Sequence, residues 1–186
     1  MKMVLYGKCP CVQIAWIMTS NLEVNLVPFT QEHVSITFDW ISDIELRNLF
    51  LIRGEIDWEI HKNYFNNILS DSRQHIFAIL VLNQHVGNCG LKNVSITNKE
   101  GELWIYIGDP SVRGKGIASY ATRLLLTKGF EEYGLERIFV HVADFNIAAR
   151  KLYANLGFIE VPLRDDSNEW KNRGCNIVSM ELKKQT

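Results

Sequence analysis

"GDPSVRGKGIASYATRLLLTKGFEEYG", residues 108–134, is the stretch that decides the fold. An apolar run, "ELWIYIG" (102–108), feeds it. Ile117, Ala121, Leu124 and Leu125 then fall at i, i+4, i+7 and i+8, the stripe of a packed helix. Gly134 is placed to stop that helix in a left-handed conformation. Between strand and helix stand Arg113, Gly114 and Gly116. Glycine there costs backbone entropy, so something has to come close to the main chain. A bare turn is one reading. A dinucleotide fingerprint is a second, because "GKGIAS" (114–119) approaches G-x-G-x-x-G. However, Ser119 replaces the third glycine, and no series of parallel βαβ units follows. The third is an anion cradle, in which the unpaired amides and dipole of a helix N-terminus face a phosphate.

The flanking sequence supplies the rest of the architecture. "NLEVNLVPF" (21–29) reads as a strand, with Leu22, Val24 and Leu26 alternating. Residues 31–53 read as helix in two pieces broken near "ISD". "DWEIHKNYFNNILSD" (57–71) reads as a helix with Trp58, Ile60, Tyr64, Phe65, Ile68 and Leu69 on its apolar face. "HIFAILVL" (75–82) has the length of a buried strand. Asn83 and Gln84 turn it into "HVGNCGLKNVSI" (85–96), and "TNKEG" (97–101) turns that into 102–108, an antiparallel meander. Downstream lie a strand, "ERIFVHV" (136–142), and a helix, "NIAARKLYANLGF" (146–158), capped by Asn146 and stopped by Gly157. "IEVPL" and "NIVSMEL" close the chain as strands. The order β-α-α-β-β-β-α-β-α-β-β is an α+β layout with one parallel crossover.

The chain has 186 residues, 47% hydrophobic and 22% charged, which suits one domain with a substantial core. A net charge of -1 argues against general attraction to nucleic acid. Cys9, Cys11, Cys89 and Cys175 have neither zinc-ligand nor disulfide-framework spacing. They read as free thiols of a reducing compartment, and no metal is expected. In "MKMVLYGKCPCVQIAWI" (1–17), Gly7, Lys8 and Pro10 break the apolar run a signal peptide needs. The expectation is an irregular extension or non-native leader over 1–17, ahead of a single domain over 18–186. No stretch approaches the ~20 apolar residues of a membrane span. A cytoplasmic protein with no membrane partner is expected.

Two motifs carry a family resemblance. Arg113, Gly116 and Ala118 match R/Q-x-x-G-x-G/A. Asn146, Ala149, Leu152, Tyr153, Gly157 and Phe158 match N-x-x-A-x-x-L-Y-x-x-x-G-F. In this order, one strand apart, they resemble the GNAT superfamily of acyl-CoA N-acyltransferases, over about residues 21–183. The resemblance implies a mixed, mostly antiparallel sheet with helices on both faces and a splayed parallel strand pair, here 102–108 and 137–142. It implies acetyl-CoA as acyl donor, its diphosphate on the turn formed by Arg113, Gly114, Lys115, Gly116, Ile117 and Ala118. The pantetheine arm would run along Tyr106, Ile107 and Gly108 like an added strand, with Val112 beside it and Asn146 and Ala149 completing the site. An amide near Ile107 would stabilise the oxyanion, a contribution of about 2.7–4 kcal/mol.

By the same resemblance Tyr153 is the general acid that protonates the departing thiolate. It also shares a stripe with Ala149, Leu152 and Leu156, so a core role stands beside the catalytic one. Glu102, eleven residues before Arg113, is the candidate base for an amine whose ordinary pKa is near 10.4. The bland alternative is a solvent-facing glutamate, and Glu100, Asp109 and His141 are substitutes. The acceptor is expected over the 31–71 helices and the 83–101 turns. Glu45, Glu55, Asp57 and Glu59 are available there for a cation, and Trp40, Trp58, Trp104 and Tyr106 for stacking. The reading leans to a small-molecule primary amine such as an amino sugar, polyamine or aminoglycoside. Protein N-termini, ribosomal-protein amines and a non-catalytic acetyl-CoA sensor are the alternatives. The family also makes a homodimer an open possibility.

Overall fold

The computed structural model describes residues 23–50, 52, 54, 56–163 and 175–185. The leader at 1–17, Leu22, Cys9, Cys11 and Glu55 lie outside them. The strands are β1 (Val24–Pro28), β2 (His75–Val81), β3 (Gln84–Ser95), β4 (Glu100–Ile107), β5 (Arg137–Ala143), β6 (Ile159–Val161) and β7 (Ile177–Lys183). They form one sheet in the order β1-β2-β3-β4-β5-β7-β6. Every neighbouring pair is antiparallel except β4–β5. This is the mixed sheet the resemblance implies.

The hairpin between β2 and β3 turns one residue earlier than expected. Leu82 and Asn83 occupy it with φ of 49° and 64°, and Val81 pairs with Gln84. A two-residue turn with both central residues left-handed matches the strand twist, and that geometry outweighs the exposure of Leu82. Residues 31–49 hold three pieces: a 3-10 turn (Gln31–His33), α1 (Val34–Ile41) and α2 (Ile44–Leu49). Asp43 separates the helices by accepting the Glu45 amide at 2.9 Å. Asp57 caps α3 (Trp58–Leu69) in the same way. The buried face of α3 is narrower than its sequence suggests. His61 and Phe65 are buried, whereas Ile60 and Tyr64 are 65% and 58% exposed.

Both sheet faces are covered. α1 and α3 pack on one through Phe29, Val34, Phe65, Ile76 and Ala78. α4 (Ile117–Thr127) and α5 (Ile147–Asn155) cover the other, where Leu91, Leu103, Ile117, Leu125, Ile138 and Tyr153 share a cluster. α4 runs into a π-helical turn (Lys128–Glu132) before Gly134, at φ 66°, ends it. The parallel pairing of β4 and β5 lasts only from Glu100↔Arg137 to Glu102↔Phe139. Beyond it, β4 stays with β3 as far as Ile107↔Gly87, and β5 stays with β7 as far as Ala143↔Ile177. The two strands therefore open into a wedge after Glu102.

Asn88 pins the α1 side of this wedge. Wholly buried, it donates from Nδ2 to Thr37 Oγ1 (2.9 Å) and to the Tyr106 hydroxyl (2.7 Å). Its Oδ1 lies 2.8 Å from His85 Nε2. Asn88→Leu leaves these groups without their partner in the core, at about 1–3 kcal/mol for a buried unsatisfied group. The expected result is a fall in the urea midpoint with an unchanged m-value; a midpoint equal to the parent's would dismiss the network as a source of stability.

Candidate active site

The glycine turn leaves open space at the start of α4. Gly114 and Gly116 sit at φ 75° and 79°, and a Cβ built on either meets no atom within 4 Å. Packing therefore does not demand glycine here. The left-handed backbone does, and the space ahead of it stays open. Gly116 is the N-cap of α4 and offers no side-chain cap. The helical ladder starts with the Tyr120 amide on the Gly116 carbonyl (3.1 Å), so the amides of Ile117, Ala118 and Ser119 have no intrahelical acceptor. A diphosphate suits this donor set.

The wedge opens beside the glycine turn. The Gly108 amide bonds the Val86 carbonyl on β3 (2.9 Å). Strand alternation then turns the amide and carbonyl of Ile107 toward the open side. The Ile107 carbonyl accepts from Arg113 Nε at 3.0 Å, and the Gly108 carbonyl accepts from the same guanidinium at 3.0 Å. Arg113 also lies 3.7 Å from Asp43. Its guanidinium thus fastens the glycine turn to the strand. Gly108 packs against the Trp40 indole, which fills the place of a Cβ.

A cavity of about 970 Å³ joins the glycine turn, the wedge and the α1–α3 side. Of the residues expected at the site, Glu102, Tyr106, Ile107, Val112, Arg113, Gly114, Gly116, Ile117, Ala118, Asn146, Ala149 and Tyr153 line it. Gly108 and Lys115 do not, and Lys115 is exposed. Asn146 is also the N-cap of α5, accepting the Ala149 amide at 3.1 Å. Glu100 and Asp109, the substitute bases, are committed elsewhere. Glu100 pairs with Arg137 at 2.8 Å, and Asp109 accepts the Ser111 amide at 2.8 Å. Trp104 and Tyr106 reach the cavity, whereas Trp40, Trp58, Glu45 and Glu59 do not.

Glu102 is buried rather than solvent-facing. Its Oε1 lies 3.0 Å from His141 Nδ1 and 3.3 Å from Lys92 Nζ, and Asn93 Nδ2 stands 3.5 Å from Oε2. Burial alone would raise its pKa. The hydrogen bond from His141 and the charge of Lys92 outweigh that and hold the carboxyl below its usual range. Sequence reasoning passed over Lys92 and Asn93. Lys92 sits directly opposite Glu102 across the β3–β4 pair, and opposite charges at cross-strand positions were the available signal. The shift in register between Lys92 and Ser95, with Asn93 at φ 54°, places the Asn93 side chain at Glu102.

Tyr153 is 6% exposed, its ring 5.5 Å from that of Phe158. Burial, reinforced by Cys89 and Glu102, pushes its phenol well above the ordinary range, so the group keeps its proton. The Tyr153 phenol, the Lys92–Glu102–His141 cluster and the glycine turn thus share one cavity. That combination suits acyl transfer from a thioester carried on a diphosphate-bearing tail.

Comparison with known proteins agrees. The family model described as "Acetyltransferase (GNAT) domain" matches residues 23–159. The chain is 26% identical over 183 residues to an N-acetyltransferase 9-like protein of Caenorhabditis elegans, covering 86% of this chain and 89% of that one. It is 24% identical to mouse alpha/beta-tubulin-N-acetyltransferase 9 over 162 residues, covering 78% of this chain and 66% of that one. A spermidine N-acetyltransferase from Vibrio cholerae, solved with CoA and spermine, superposes with a TM-score of 0.76 at 18% identity, covering 86% and 95% of the two chains. This chain belongs to the GNAT acetyltransferase family. It is an acetyl-CoA-dependent N-acyltransferase.

Proposed function

We propose that the enzyme acetylates one amine carried beside an apolar group, of which the α-amine of a peptide with a bulky apolar first side chain is the fitting example. The observation behind this reading is the acceptor end of the cavity. Ile41, Leu46, Phe50, Ile60, Phe65 and Trp104 contribute to its wall. Asp57 and Glu102 are its carboxylates among the described residues, and both are engaged. Asp57 caps α3 through the Glu59 and Ile60 amides, and Glu102 holds Lys92 and His141. A polyamine or aminoglycoside brings several positive charges and would find no unengaged carboxylate among these. An α-amine has an ordinary pKa of about 7.7–8.0, against 10.4 for a lysine-like amine, and so needs less help to become neutral. The mouse relative, whose name specifies a protein acceptor, fits the same reading.

In this reading the first-turn amides of α4 hold the diphosphate, and the open edge of β4 pairs with the pantetheine arm. The Ile107 amide meets the developing oxyanion, and Tyr153 protonates the leaving thiolate. The amine loses its proton at the Glu102 end of the cavity. The test is thiol release over a panel: peptides beginning with Met, Leu or Phe, peptides beginning with Asp or Lys, phenethylamine, spermidine and glucosamine. The apolar peptides are expected to exceed spermidine and glucosamine at least ~10-fold in kcat/KM. A preference for spermidine or the amino sugar would reverse the assignment, and a preference for phenethylamine over every peptide would move it to a small apolar amine.

A further inference from the structure

Alternation along β4 sends Glu102, Trp104 and Tyr106 to one face of the sheet. It is the α1–α3 face, because Trp104 packs against the cluster of Phe29, Val34, Phe65, Ile76 and Ala78. Gly90 is the cross-strand partner of Trp104, and the indole lies across it. A Cβ on Gly90 would meet Cζ2 and Cε2 of Trp104 at 2.9 and 3.0 Å. Beside the indole the Tyr106 ring is nearly parallel, with 20° between the planes and 6.1 Å between centroids. The Tyr106 hydroxyl is in turn fixed by Asn88 at 2.7 Å. Glycine, tyrosine and core cluster together hold the indole in one place.

Covering a strand glycine is by itself a structural role for an aromatic ring. Trp104 does more, because it stays partly exposed and borders the cavity. Among the described tryptophans it alone does so; Trp40 and Trp58 are not part of the wall. Tyr106 reaches the cavity too, but its ring is enclosed by those of Phe50 and Trp40, 5.3 and 6.3 Å away between centroids. α3 brings Ile60, Tyr64 and Ile68 to the same cavity, so indole and helix together bound an apolar section of it.

We propose that Trp104 is a specificity-determining residue, its indole being the surface on which an aromatic ring, borne two carbons from the reacting amine, stacks. The proposal rests on the amine-acetylation reading above and narrows its apolar group to a ring. Trp104 stands two residues from Glu102 on the same face, ~7 Å along the strand. An amine that gives up its proton at the Glu102 end therefore has the indole within reach of its own side chain. A ring on a fixed indole gains from offset stacking beyond the area it buries, about 2–10-fold in affinity. A branched aliphatic side chain fills the volume without that gain.

Short peptides that differ only in their first residue, Phe, Leu or Gly, test this. For the parent, kcat/KM should favour Phe over Leu by at least ~5-fold and over Gly by at least ~30-fold. Trp104→Leu keeps an apolar side chain on the core cluster. In it the Phe-over-Leu margin should close to within about twofold, through a raised KM for the Phe peptide. Turnover of the Gly peptide and acetyl-CoA affinity should stay near the parent's, whereas a merely structural loss would lower all three peptides together. Trp104→Phe restores a ring and should regain most of the margin. A parent that uses Leu as well as Phe, or a margin that persists in Trp104→Leu, would overturn the proposal. The acceptor reading fails separately. If phenethylamine outruns every peptide, the amine is a small molecule, and Trp104 is decided by the ratio of phenethylamine to ethylamine, which should collapse in Trp104→Leu. Whatever amine is used, titration of the CoA-bound enzyme with N-acetylphenethylamine gives an answer without turnover. Binding to the parent should weaken at least ~5-fold in Trp104→Leu. Equal binding by both proteins, or none by the parent, would remove the indole from the acceptor site.

Discussion

Tyr153→Phe should lower kcat by about 10²–10⁴-fold while leaving acetyl-CoA affinity almost unchanged. The substitution removes one oxygen and keeps the ring, so the contact with Phe158 and the burial in the α5-side core persist. What disappears is the proton that the proposed mechanism delivers to the leaving thiolate. A thiol of the cysteine kind titrates near 8.5 and an unperturbed phenol near 10, so the transfer is already uphill by about 2 kcal/mol. Burial of Tyr153 steepens that slope, but the same apolar wedge disfavours the naked thiolate, and the two effects offset. The sign for pH follows. An acid must be protonated to act, and activity is lost as pH rises through its pKa. Raising that pKa moves the basic limb upward, so Tyr153 imposes no loss below about pH 10. Thiol-release kinetics with calorimetry on the same preparation check both halves. Near-normal turnover in the phenylalanine variant would leave Tyr153 as a core residue only.

The glycine turn and the two motif helices were legible because their signals are local. Glycines at a strand-to-helix turn, an i, i+4, i+7, i+8 stripe and an asparagine cap each depend on residues within a turn or two. The order of elements, and with it the single crossover between β4 and β5, followed from the same periodicities. What was not legible depends on register. Nothing in "LVLNQHV" says that Leu82 rather than Gln84 enters the turn; cross-strand pairing decides it. Nor does the α3 sequence reveal that Ile60 and Tyr64 stay exposed while His61 is buried, although all three line the cavity. Arg113 read as a charge for phosphate, and its bonds to the Ile107 and Gly108 carbonyls need three-dimensional closure of the turn. The Lys92–Glu102–His141 cluster is the largest gap. It combines three strands and an irregularity in register, and no single window of sequence contains it.

Gly116→Asn separates conformation from access at the glycine turn. Most side chains at φ 79° would strain the backbone, so a loss of binding in a valine variant would confound the two. Asparagine tolerates the left-handed region and brings no β-branch. With no protein atom within 4 Å of the new Cβ, the fold has nothing to yield, and stability should stay within about 1 kcal/mol of the parent. The side chain instead enters the open space at the start of α4. Its bulk there competes with a phosphate for the donors the glycine leaves open. Acetyl-CoA affinity should therefore fall by about 10²-fold, or 2.7 kcal/mol. A shorter thioester such as S-acetylpantetheine, which lacks the diphosphate, should be used equally well by both proteins. Equal acetyl-CoA affinity in parent and variant would mean that the diphosphate does not sit on this helix end.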